Sequence, residues 1–128
     1  MVLAVGEHVL GEAAARSMRW ATALSGGLGG SRQETCGALS GGAMVIGGLY
    51  GRNGAEEDDE IACSLARRYR ERFLAEFGTT RCQELYDRFH APGSVGTCAV
   101  VGERAARLLL EVLAEEQEPS DQSTGEGE

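Results

Sequence analysis

The segment "CGALSGGAMVIGGLYGR" (36–52) carries six glycines among apolar residues and no charge before Arg52. Its length favours a helix over a strand. Its small residues recur at a spacing of four: Gly37 with Gly41, Ala38 with Gly42, Ala43 with Gly47. Each interior glycine costs a helix about 1 kcal/mol relative to alanine. Such a run is stable only where another backbone or a cofactor approaches closely. The spacing predicts a central, most buried helix, with Gly37 and Gly41 as candidate cofactor contacts. The apolar stretch from Cys36 to Tyr50 is too short, and its side chains too small, to span a bilayer.

The remaining chain reads as helices joined by short loops, so the expected fold is all-α: a compact bundle of five to six helices around the glycine-rich one. "MVLAVGEHVLGE" has helical apolar spacing at Val2, Val5, Val9 and Leu10, and Gly11 turns it into "AAARSMRWATAL" (13–24), whose Met18, Ala21 and Leu24 are expected to face inward. "SGGLGGSRQET" (25–35) is a loop by its glycines. After the acidic "NGAEEDDE", residues 59–77 form an amphipathic helix with a stripe of Ile61, Leu65, Tyr69, Phe73 and Phe77, stopped by Gly78. Thr80 and Gln83 fit a capping box before a short helix over 79–89; a loop then leads to a last helix over 98–117, capped by Thr97. One helical domain over 1–117 and a disordered acidic tail over 118–128 are expected.

The net charge of −8 resides mostly in that tail. Residues 115–128 hold six acids and no base, which leaves 14 acids against 12 bases in the body. A nearly neutral body without a basic stripe argues against nucleic acid as a partner. All 12 bases are arginine, so lysine catalysis and Schiff-base chemistry are excluded. No secretory leader pattern opens the chain, and the expected location is cytoplasmic, where four cysteines are reactive, metal-binding or plain core rather than a disulfide framework.

Three cysteines share a setting. Cys36 follows Thr35, Cys98 follows Thr97, and Cys82 lies two residues after Thr80. With each threonine as an N-cap, each thiol falls in the first turn of a helix, where free N–H groups and the helix dipole favour an anion. A free thiol has a pKa of about 8.5, and such positions are among those that lower it. Cys63 falls off the apolar stripe of its helix and is read as structural. His90, in a loop between Cys82 and Cys98, reads first as a solvated histidine, with membership of a thiolate site as the alternative. There is no CxxC, no P-loop and no Ser/His/Asp set.

The motif Cys36-Gly37-Ala38-Leu39-Ser40-Gly41, the run Gly48 to Arg52, the Phe77-Gly78 to Cys82 element and the last Cys98 occur in an order that resembles the redox-active C-GCAxxG-C-C family. The resemblance spans roughly residues 2–113. It implies four characteristic cysteines, three of which map onto Cys36, Cys82 and Cys98. The family's first would fall upstream of Met1, and Cys63 matches none.

Three thiolates admit two chemistries. They bind an iron–sulfur cluster or another thiophilic metal, with Cys36, Cys82 and Cys98 as ligands and a fourth position left for His90, solvent, a missing cysteine or a partner subunit. Alternatively two of them cycle as a disulfide with a redox partner protein, Cys82 and Cys98 being the natural pair. A reading from another class is a non-catalytic helical interaction module, a homodimer through the glycine-rich face. A thiol-dependent enzyme of unknown substrate ranks last.

Overall fold

In the computed structural model the glycine-studded segment forms a helix, α3, over Gly37–Tyr50. The structure describes residues 1–91 and 98–127, with side chains described in 1–91 and 98–116. Around α3 stand α1 (Ala4–Leu10), α2 (Glu12–Ala21), a 3₁₀ turn (Thr22–Leu24), α4 (Glu60–Phe77), α5 (Cys82–His90) and α6 (Cys98–Gly127). The expected all-α bundle is therefore observed, with six α-helices among the described residues. The expected tail over 118–128 and the Thr97 cap fall outside the described side chains.

α3 touches α1, α2, α4 and α6, which is the central position its small residues predict. The close approach is made by side chains of this chain. A methyl on Gly42 would meet the Tyr69 ring, one on Gly48 would lie 2.6 Å from a Leu10 methyl, and one on Gly41 would lie 3.2 Å from Met1 Cβ. Tyr69 reaches across α3 to donate its hydroxyl hydrogen to the Ala38 carbonyl at 2.9 Å. Its phenol is held well above the usual tyrosine pKa, by burial first and by the neighbouring Cys36 second.

α4 supplies the aromatic core. Leu65, Tyr69, Phe73 and Phe77 are buried along one stripe, and Phe73 stacks tilted on Phe77 with centroids 4.6 Å apart. Removing each such side chain from water contributes about 1.5–3 kcal/mol. Ile61, expected in the same stripe, is exposed: it lies in the first turn, beyond the reach of α3 and α6. Gly78 ends α4 in the left-handed conformation (φ 77°), its N–H bonded to the Leu74 carbonyl, as a C-terminal glycine cap should be. Arg68 and Arg72 pair with Glu115 and Glu116 along the α4–α6 seam. α6 contributes Val101, Ala105, Leu109 and Val112 to the core.

Two expectations about α2 are corrected. Met18 is 46% exposed, and Ala21 and Leu24 are only half-buried. All three face a cavity instead of the core. Cys63, read as structural, is exposed on α4.

Candidate redox site

The loop that precedes α3 sets the site. Residues 26–30, Gly-Gly-Leu-Gly-Gly, all have positive φ, a run that glycine permits at little cost. Gly27 is the tightest point: a methyl there would stand 2.5 Å from Cys82 Cβ and 2.8 Å from Arg32 Cα. The coil returns the chain beside the start of α5. There Thr35 and Arg81 form an isolated antiparallel bridge, with the Cys36 N–H donating to the Thr80 carbonyl (2.8 Å) and the Cys82 N–H to the Glu34 carbonyl (2.9 Å). Cys36 and Cys82 flank the bridge on the same face, as diagonal neighbours whose Cα atoms in such a ladder are about 7–8 Å apart.

The capping expectations are revised by this bridge. The N-cap of α3 is Cys36 itself, because Thr35 is held in the extended pair. The N-cap of α5 is Arg81, and Thr80 contributes its carbonyl to the bridge instead of capping. Thr79 accepts the Arg81 N–H through its hydroxyl, and the Gln83 side chain bonds Asp87 rather than closing a capping box. The thiols nevertheless stand at helix starts: Cys36 at the cap of α3, Cys82 as the first residue of α5, Cys98 as the first of α6. Cys82 is buried, Cys36 half-buried and Cys98 exposed.

All three cysteines line one cavity of about 500 Å³, between the amino-terminal segment, the 3₁₀ turn and the starts of α3, α5 and α6. Gly37 and Gly41 line it too. Their missing side chains face the Leu24 carbonyl and Ser25 (both 3.5 Å) and Met1 Cβ (3.2 Å) respectively, so packing of the chain on itself accounts for both glycines.

The expected acidification is reversed at Cys36 and Cys98. Burial pushes Cys36 above the ordinary thiol range. The amides of Ala38 and Leu39 pull the other way, though neither makes a full cap hydrogen bond, and the neighbouring Cys82 and Cys98 push up again. Cys98 is likewise raised, by burial first and Cys82 second, against a lowering by Arg32. The helix-start effect is present at Cys36, but desolvation outweighs it. A thiolate at one position makes the next harder to form.

One contact was only partly legible in the chain. His90 Nε2 lies 3.4 Å from Cys98 Sγ. The imidazole stacks on Tyr86, centroids 4.0 Å apart and planes within 16°, and the Arg32 guanidinium covers the ring of Tyr86 at 3.7 Å. Nothing in the sequence marks Arg32 or Tyr86, which are brought together only when the glycine coil lies against α5. Among the described residues no group of three His, Cys, Asp or Glu side chains is placed to hold a metal ion. No helix among the described residues is long and apolar enough to cross a membrane.

A family model described as "Putative redox-active protein (C_GCAxxG_C_C)" matches residues 1–112. No curated protein and no solved structure matches the chain. The matched span contains the whole thiol-lined cavity, with its three helix-start cysteines in the order the family's name records, and the chain belongs to the C-GCAxxG-C-C family.

Proposed function

We propose that the protein is a dithiol–disulfide exchange protein in which Cys98 attacks, Cys82 resolves and His90 takes the proton of the attacking thiol. The observation that carries this reading is the convergence of three thiols from three helix starts on one cavity, with an imidazole against the exposed one. Cys98 suits attack because it is exposed and has a base in reach. Cys82 is buried at the same cavity, which suits a second, internal step.

The steps balance as follows. Cys98 thiolate, its proton passed to His90, attacks one sulfur of a substrate disulfide. A mixed disulfide forms and the first substrate thiolate leaves, taking a proton from the imidazolium. Cys82 then attacks the Cys98 sulfur, forming the Cys82–Cys98 bond; the second substrate sulfur leaves as a thiolate and takes the Cys82 proton, departing as the thiol. The substrate gains two electrons and two protons, and the protein dithiol loses them. Cys36, half-buried and raised in pKa, stays protonated beside the pair.

The test is mass spectrometry of the protein oxidised by a disulfide, with and without dithiothreitol. Expected is a reversible loss of two protons and a Cys82–Cys98 linked peptide, abolished in Cys98→Ser, while Cys82→Ser traps the mixed disulfide on Cys98. A colourless reduced protein that never forms this linkage would overturn the proposal. Visible absorption after anaerobic purification, lost with the same cysteines, would replace it with a cluster.

A further inference from the structure

We infer that the disulfide the thiols act on is a small, uncharged molecule with an apolar body, received inside the cavity. This rests on the exchange reading above. Four observations carry it. The cavity, about 500 Å³, has the size of a small-ligand site. Among the described residues its wall has no Asp, Glu, Arg or His side chain, and apart from the thiols its polar side chains are the hydroxyls of Thr22 and Ser25. Arg32, the cation that acts on Cys98, is not part of that wall: its guanidinium covers Tyr86. The third thiol, Cys36, contributes to this neutrality, because its burial keeps it protonated.

A carboxylate or ammonium group entering such a space would lose its water and find no charged side chain in the described wall, an expense an apolar ligand does not meet. The apolar wall, with Met18 and Leu24 on one side and Leu85 and Val101 on the other, would pack around aliphatic carbon. Cys82 lines this space, so the resolving step happens where the substrate body sits. The expectation that Met18 and Leu24 belong to the core is thereby reassigned: they are apolar because the cavity is.

The experiment compares three disulfides on the reduced full chain: dipropyl disulfide, glutathione disulfide and cystamine. Each rate is divided by that reagent's rate with free 2-mercaptoethanol, and the Cys82–Cys98 linkage is read by mass spectrometry. The neutral alkyl disulfide should lead both charged ones by about tenfold or more, the scale on which an apolar pocket discriminates. A second arm uses Gly102→Leu. Gly102 lines the cavity, lies inside α6 and has nothing within 4 Å of where its Cβ would stand, so a larger side chain there enters the cavity. The melting temperature checks that the fold survives, and the dipropyl disulfide rate should fall by about tenfold relative to the variant's own iodoacetamide rate at Cys98. Equal normalised rates for all three reagents, or an unchanged rate in Gly102→Leu, would overturn the substrate assignment while leaving exchange intact. Failure of every reagent to form the linkage would overturn exchange itself.

Discussion

The His90 imidazole touches the Cys98 sulfur on one side, with Nε2 at 3.4 Å, and lies flat on the Tyr86 ring on the other. The ring is thus held in one plane with Nε2 directed at the sulfur. Arg32 closes the far side of Tyr86, so three residues from two distant segments fix one nitrogen against one thiol.

Replacing His90 with alanine should slow iodoacetamide labelling of Cys98 at neutral pH by about tenfold, the change expected when the effective thiol pKa rises by one unit. Tyr86→Ala should slow it less, because the base survives and only its position is lost. The difference from wild type should vanish in strongly alkaline solution, where Cys98 ionises unaided. Equal labelling of wild type and His90→Ala at neutral pH would remove the histidine from the site.

The glycine positions separate into those that are filled and those that are open. Gly27→Ala places a methyl against Cys82 and Arg32 at a positive φ, and should cost about 2–4 kcal/mol in denaturant unfolding. Gly47→Ala, exposed in the middle of α3 with nothing within 4 Å of its Cβ position, should stabilise by about 1 kcal/mol.

Tyr69→Phe deletes the bond to the Ala38 carbonyl and keeps the packed ring. A loss of about 1 kcal/mol is expected from thermal or urea unfolding. Gly42→Ala should cost more, because the methyl collides with that ring.

Stability should fall on the alkaline side. The folded state holds the Cys36 and Cys98 protons more tightly than the unfolded chain does. This contribution is fully present below the unfolded thiol pKa of about 8.5 and is lost as pH rises through the higher folded values. Cys36→Ala should flatten that fall above the unfolded thiol pKa of about 8.5. An identical alkaline slope in the variant would show that Cys36 does not titrate differently on folding.

Much of the bundle was legible in the chain because its signals are local. Gly11 and Gly78 punctuate helices, the Leu65–Tyr69–Phe73–Phe77 stripe faces inward, and the glycine spacing places α3 at the centre. The placement of Cys36, Cys82 and Cys98 at helix starts was also legible, from the residues that precede them. The raised ionisation of Cys36 and Cys98 was not. Capping argues from the first turn alone, whereas burial of Cys36 comes from the amino-terminal segment and the start of α5, elements far away in sequence. The same holds for Met18, whose helical spacing says apolar face but not whether core or cavity lies opposite. Arg32 and Tyr86 were invisible because a cation over a ring leaves no periodic trace.

The Thr35–Arg81 pairing is made by main-chain atoms, and both side chains point to solvent. The distance between the sulfurs at 36 and 82 is therefore indifferent to which residues decorate this strip. What the junction depends on is its amides: a proline at position 36 or 82 would delete one of the main-chain bonds that fasten the two helix starts to each other.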